Sequence, residues 1–262
     1  MQAPARQAVR DATVAGLAGV LVSTVSALLV AMLYGGGTAL VVVAAVLGSA
    51  PAVLSSAAVL RRRRLASTPA DRVTLTRAVL ASGCAAITVL ILAEVVPPRS
   101  WWLLSLTVPA LLLDAVDGTV ARRTSSVTAD GARLDGELDA GVLVVLSLAV
   151  ASVLGGWVLL IGALRYLFLA ASWVRPALGM PLAFSAFRRV VAGLQGAALA
   201  IAIAPVVPLA LAASTVLVAL ALLVWSFARD VVTLEGRARS QSRSLVPHVV
   251  AVSRAEAVGG RP

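Results

Sequence analysis

Long runs of apolar residues, separated by short polar stretches, occupy most of the chain. A helix needs about 20 apolar residues to cross a hydrocarbon layer of about 30 Å. Runs near that length predict eight membrane-spanning helices, at residues 12–33, 38–60, 78–96, 101–121, 140–155, 157–174, 190–204 and 208–228. The pattern therefore predicts an all-α integral membrane protein.

The composition excludes a soluble globular domain. Hydrophobic residues make up 60% of the chain and charged residues only 13%, whereas about a quarter of the residues of a soluble domain are charged. A net charge of +10 would suit nucleic acid. Because no soluble domain is present to carry such a site, we expect the partner of this charge to be membrane lipid and not nucleic acid.

The distribution of the 22 basic residues, all arginine, predicts the topology. Arginines precede the first span and follow the second, fourth, sixth and eighth spans, whereas the connections on the opposite side contain only Arg99. Basic residues are enriched in cytoplasmic loops. We therefore expect both termini, and every even-numbered loop, to be cytoplasmic.

One short window concentrates the acidic residues between two apolar runs. Residues 114–140 contain six of the 12 in the chain, namely Asp114, Asp117, Asp130, Asp135, Glu137 and Asp139. Asp114 and Asp117 are three residues apart and Asp135 and Asp139 are four apart, so each pair shares one face of a helix. Since consecutive spans run antiparallel, both pairs are predicted to converge at the cytoplasmic end.

Carboxylates at the edge of the hydrocarbon are costly and are functional candidates. Four of them facing one another would repel unless a cation neutralised them, and an all-oxygen ligand set suits Mg²⁺ or Mn²⁺. Gly118 leaves room for a ligand near the helix backbone, and Arg122 offers a guanidinium fork for phosphate. These features predict a site for a metal ion and a pyrophosphate.

The same window resembles the signature of the CDP-alcohol phosphatidyltransferase family, D-x-x-D-G-x-x-A-R, eight residues, then G-x-x-x-D-x-x-x-D. Every fixed position matches, at Asp114, Asp117, Gly118, Ala121, Arg122, Gly131, Asp135 and Asp139. Upstream, TLTRAVLASG at 74–83 is similar to the segment before the family's first core helix, with Thr74 and Arg77 at the expected places. The asparagine that usually precedes this segment is not evident here.

The resemblance implies a six-helix transmembrane core preceded by two additional transmembrane helices. The corresponding divisions are an N-terminal helix pair at 1–64, a catalytic core at 65–232 and a polar cytoplasmic tail at 233–262. Family membership also implies a homodimer.

The roles of the signature residues follow from the resemblance as well. Asp114, Asp117 and Asp135 would hold two divalent ions, Mg²⁺ or Mn²⁺, with help from Asp139, and Asp139 would be the general base. The pocket for the CDP group would be lined by Gly118, Ala121, Arg122 and Gly131. The implied reaction transfers a phosphatidyl group from a CDP-alcohol, typically CDP-diacylglycerol, to an acceptor hydroxyl and releases CMP.

Arginines near this site suggest the class of acceptor. Arg133, Arg188 and Arg189 are predicted to lie at the cytoplasmic face, where they favour a polyol phosphate such as glycerol 3-phosphate or inositol phosphate. Arg165 lies within a span, where its charge needs a partner. We expect either a structural ion pair with Glu94 or a contact with substrate.

Other functions fit part of the pattern. An intramembrane prenyltransferase also combines aspartates, a metal ion and a pyrophosphate donor. Such enzymes, however, resemble one another through two separated Asp-rich motifs on distant helices, and they release pyrophosphate and not CMP. A transporter would be expected to place its acidic site near the middle of the bilayer. A pseudoenzyme that kept the fold would not need four costly aspartates.

Overall fold

The computed structural model describes the backbone of residues 3–61, 69–123, 129–180 and 185–259, and the side chains of residues 7–61, 71–114, 131, 133–180 and 185–237. This part of the chain is 90% helical and contains no strand. The α-helices are α1 (Ala3–Tyr34), α2 (Thr38–Arg61), α3 (Pro69–Leu92), α4 (Trp101–Arg123), α5 (Ala129–Leu154), α6 (Leu159–Val174), α7 (Ala186–Ile203) and α8 (Leu209–Gly259). The predicted all-α class is confirmed.

Within the part of the chain that the structure describes, seven helical segments are long and apolar enough to cross a membrane, and the apolar part of α4, Trp101–Asp114, is shorter. Each predicted span coincides with one helix, but several helices continue past the apolar residues. The third span was predicted to reach residue 96, whereas α3 ends at Leu92 because Glu94 adopts a left-handed conformation with φ 59°. At their other ends α3 and α5 begin 9 and 11 residues before the predicted spans. Thr74, Arg77, Asp135 and Asp139 are therefore helical residues.

Helix α3 lies at the centre of the bundle and packs against α1, α2, α4 and α5. Its side chains Ile87 and Leu90 are buried with Leu103 of α4, Leu146 of α5 and Leu199 of α7 in one apolar core. Because α3 touches so many neighbours, it can place a side chain between α4 and α5.

Small residues bring α2 against α3. A methyl group added at Gly48 would lie 2.6 Å from the side chain of Ala86, so only glycine permits this approach. Pro51 interrupts the hydrogen bonds of α2, and the next amide, of Ala52, donates across to Ser82 Oγ of α3 at 3.2 Å. The N-terminal helices are thereby packed on the helix that carries Arg77.

At the other end of the bundle, Arg99 joins two connections. Its Nη2 atom donates to the carbonyl oxygen of Ala204 at 2.6 Å and also to that of Val207. The α3–α4 connection is thus bound to the α7–α8 connection.

Candidate active site

Three carboxylates predicted from the sequence meet at one end of the bundle. Asp114 lies near the end of α4, and Asp135 and Asp139 lie one turn apart near the beginning of α5. One oxygen of each lies within 4.8 Å of the others. Between 34% and 39% of each side chain is exposed. These three residues, the aspartate cluster, are close to one another and open to a ligand.

Arg77 of α3 lies among these carboxylates. Its Nη2 atom is 3.0 Å from Asp114 Oδ1 and also donates to Asp139 Oδ1, while Nη1 is 2.5 Å from Asp135 Oδ1. The Arg77 side chain is only 4% exposed. A buried guanidinium is stable here because the carboxylates surround it.

The charges of these four side chains do not cancel. Three carboxylates and one guanidinium leave a formal charge of two negative, −3 + 1 = −2, so the set suits a divalent cation. Oxygen donors are those that hard ions such as Mg²⁺ and Mn²⁺ prefer. The residues present therefore fit a metal ion held by Asp114, Asp135 and Asp139.

The rest of the signature is only partly described. Asp117, Gly118, Ala121 and Arg122 belong to the last turns of α4, but their side chains lie outside the described residues, as does any pocket they form. Gly131 is in the first turn of α5 and is partly buried. The predicted fourth carboxylate and the predicted CDP pocket stay predictions.

A cavity of about 380 Å³ opens beside Asp139, between α5, α6, α7 and α8. Its polar lining includes Arg165, Arg188, Gln195 and Asp230. We call it the side cavity. Its size is that of a site for a small molecule.

An ion pair between Arg188 and Asp230 lies in the wall of the side cavity. Arg188 Nη1 is 3.2 Å from Asp230 Oδ2, and Asp230 is buried at the wall formed by α8. The Gln195 amide donates to the carbonyls of Val191 and Ala219 and so links α7 to α8. Arg188 is thus the one of the three proposed acceptor arginines that lines this cavity.

The other two proposed arginines lie elsewhere. Arg189 is exposed on α7 and acts electrostatically on Asp114. Arg133 is exposed in the second turn of α5, before the aspartates of that helix. The structure thus separates the three arginines into different surroundings.

The predicted pairing of Arg165 with Glu94 is wrong. Arg165 Nη2 is 3.2 Å from Glu137 Oε1, on the neighbouring helix α5. Glu94 lies in the turn after α3, at the other end of the bundle. Arg165 forms an ion pair as expected, but its partner is Glu137, which lies between Asp135 and Asp139 along α5.

Sequence reasoning missed the placement of Arg77 and the contribution of Asp230. The family resemblance matches Arg77 to a family arginine and gives it no role, although an arginine in an apolar helix needs a partner. Asp230 comes two residues after the predicted end of the last span, and α8 continues through it. An acidic residue two positions beyond the end of an apolar run was the available signal.

A family model described as CDP-alcohol phosphatidyltransferase matches residues 67–227, more than half of the chain. The matched segment contains the aspartate cluster and Arg77, and it begins after α1 and α2. Comparisons with curated proteins and with solved structures gave no match.

Proposed function

The chain belongs to the CDP-alcohol phosphatidyltransferase family, and on that premise we propose that it transfers a phosphatidyl group from CDP-diacylglycerol to a polyol phosphate and releases CMP. The family supports phosphatidyl transfer of the phospholipid-synthesis type in general. The donor and the acceptor are our proposal. The observation that carries it is the aspartate cluster, which lies beside a cavity lined by Arg188.

We assign the metal site to the aspartate cluster together with Asp117. The family is typically metal-dependent, and we propose two ions of Mg²⁺ or Mn²⁺. Such ions, when bound, neutralise charge on the pyrophosphate and on the departing CMP. Gly118, Ala121, Arg122 and Gly131 are proposed to line the pocket for the CDP group.

Asp139 is the proposed general base. It belongs to the aspartate cluster and also lines the side cavity, so an acceptor in the cavity would present its hydroxyl to this carboxylate. The acceptor oxygen bonds to the phosphorus that carries the diacylglycerol, and the bond from that phosphorus to the CMP oxygen breaks. The hydroxyl proton passes to Asp139, and CMP leaves with the bonding electron pair.

Arg77 is proposed to hold the carboxylates in place. Its fork contacts Asp135 and Asp139 through different nitrogen atoms, which fixes two successive turns of α5 relative to α3. Its charge also reduces the repulsion among three like charges.

The acceptor class rests on the charges of the side cavity. Arg188 is the described cavity arginine paired with a buried carboxylate, and a phosphate could take one face of its guanidinium fork. Glycerol 3-phosphate and inositol phosphate both combine a phosphate with free hydroxyls. Asp230 and Gln195 give the cavity further polar groups.

We propose that the cluster end of the bundle faces the cytoplasm, with both termini on that side. The support is the arginine distribution of the sequence. This orientation would place the reacting phosphates at the interface while the acyl chains of the donor stay in the bilayer. A homodimer is proposed from the family alone.

The test is CMP release by the purified chain in detergent with CDP-diacylglycerol. Reactions should contain Mg²⁺, Mn²⁺ or EDTA and one of several acceptors, including glycerol 3-phosphate, inositol phosphate, inositol and serine. We expect cation-dependent CMP release with a polyol phosphate, together with a new phospholipid in equal amount. With a prenyl diphosphate in place of CDP-diacylglycerol, release of pyrophosphate would instead indicate a prenyltransferase.

Asp139→Asn and Glu137→Gln provide a matched pair of variants. They lie on the same helix two residues apart, but only Asp139 belongs to the aspartate cluster. Loss of a general base costs about 10²- to 10⁴-fold in rate, so Asp139→Asn should lose activity by that factor while Glu137→Gln keeps most of it. Equal activities of the two variants would refute the assignment of the base.

A further inference from the structure

A groove of about 830 Å³ lies between α1 and α3. Arg72, Leu75 and Val79 of α3 line it, whereas Arg77 of the same helix points to the aspartate cluster. The groove and the cluster are therefore on different faces of α3. Since the family match begins at residue 67, the groove joins α1, which precedes the match, to the first helix of the match.

One end of this N-terminal groove is positively charged. Arg10 and Arg72 line it together with Gln7 and Thr76. Arg72 Nε is 2.9 Å from Asp11 Oδ2, and 51% of the Arg72 side chain is exposed. Two arginines and one aspartate leave a formal charge of +1, and the amide and hydroxyl groups beside them can bind oxygen atoms.

The remainder of the groove is apolar. Val14 and Ala18 of α1 line it one and two turns beyond Arg10, and Leu75 and Val79 line it on α3. Because α1 and α3 both run in the same direction away from the charged end, the apolar part extends toward the middle of the membrane. A molecule that filled this groove would have an anionic head and an apolar chain.

We propose that the N-terminal groove binds one anionic phospholipid, with its phosphate between Arg10 and Arg72 and an acyl chain along Val14, Ala18 and Val79. Charge complementarity selects the head group, because arginine binds phosphate through a fork of donors. The apolar end selects a lipid over free phosphate. This site is separate from the transfer reaction, and it gives α1 a function of its own.

The experiment measures lipids bound to the full-length chain by native mass spectrometry, after incubation with phosphatidylglycerol or phosphatidylcholine in equal amounts. EDTA is present throughout, so that no cation-dependent lipid is held at the aspartate cluster. The variants are Arg10→Gln, Arg10→Lys, Ala18→Leu and Arg61→Gln. Arg61 is an exposed arginine at the end of α2, outside the groove lining, and serves as the control for surface charge.

We expect phosphatidylglycerol to bind in preference to phosphatidylcholine. Arg10→Gln should weaken phosphatidylglycerol binding by about five-fold, the effect of one arginine at an anionic lipid surface, and Arg10→Lys should restore most of it. Ala18→Leu should weaken binding by filling the apolar end, while Arg61→Gln has no effect.

Three outcomes would overturn the proposal. Equal binding of the two lipids would remove the head-group site, and equal losses in Arg10→Gln and Arg61→Gln would reduce it to general surface charge. Unchanged binding in Ala18→Leu would exclude an acyl chain from the groove. An Asp139→Asn chain should bind phosphatidylglycerol normally, so failure of the transfer reaction and failure of this site are distinguishable.

Discussion

Two partly or fully buried arginines, one near each end of α3, make contrasting contacts. Arg77 lies in the third turn of α3 and contacts the three carboxylates of the aspartate cluster. Arg99 lies beyond the end of α3 and donates hydrogen bonds to two backbone carbonyls in the α7–α8 connection.

The difference lies in what charge is left over. Carbonyl groups are neutral dipoles, so Arg99 binds two loops together and creates no site for a cation. Arg77 leaves its carboxylates with a net negative charge and with about a third of each side chain exposed. Arg99 therefore joins two connections at one end of the bundle, whereas Arg77 positions carboxylates that can still bind an ion.

The largest expected effect on stability is that of Arg77→Gln. Removing one member of a buried ion pair costs about 3–5 kcal/mol, and we expect the lower end, about 3 kcal/mol, because the carboxylates are partly exposed. Without Arg77 the three carboxylates of the aspartate cluster repel one another more strongly. A divalent cation should therefore stabilise the variant more than it stabilises the parent chain. Thermal unfolding in detergent, followed by tryptophan fluorescence with EDTA and with Mn²⁺, measures both effects.

Arg99→Gln should have a smaller effect that no cation changes. Two carbonyl oxygens lose their donor, but Arg99 is only partly buried, so water can replace it and we expect a total loss of about 1–2 kcal/mol. The same unfolding measurement should show equal destabilisation with EDTA and with Mn²⁺. If Mn²⁺ rescued Arg99→Gln as well as Arg77→Gln, the contrast between the two ends would not hold.

Arg188 sharpens the comparison because it pairs with the buried carboxylate of Asp230 beside a cavity. Arg188→Gln should raise the acceptor KM by about ten-fold, the loss of one charge-assisted contact of about 1.4 kcal/mol, with little change in kcat. Initial rates against acceptor concentration provide the measurement. Arg175→Gln is the control, since Arg175 pairs with Glu235 on the exposed surface. An unchanged KM in Arg188→Gln would remove this arginine from the acceptor site.

The sequence predicted those parts of the site that depend on local spacing. Asp135 and Asp139 are one helical turn apart, and Asp114 lies on the preceding helix, so their convergence followed from helix geometry and an antiparallel connection. The helices were predictable for a similar reason, because a membrane span needs a long apolar run. The polar residues by which helices such as α3 and α5 extend beyond their apolar runs were not predicted.

The contacts that sequence reasoning missed join distant parts of the chain. Arg77 is 58 and 62 residues away from its α5 partners, and Arg188 is 42 residues from Asp230. Which residues face each other then depends on the packing of several helices, which no local pattern specifies. Arg165 shows the same difficulty, because the choice between Glu94 and Glu137 required knowing which end of the bundle each glutamate occupies.

The smallest expected effect is that of the exposed pair between Arg72 and Asp11. Arg72 is on the same helix as Arg77, five residues earlier, but about half of its side chain is exposed. Water and salt screen such a pair, so it contributes about 0–1 kcal/mol. A double-mutant cycle with Arg72→Gln and Asp11→Asn should give a coupling energy in this range that falls further at high salt. Arg72 and Arg77 carry the same charge and lie on the same helix. If the Arg72–Asp11 coupling energy were as large as the stability lost in Arg77→Gln, burial would not explain why Arg77 contributes more to stability than Arg72.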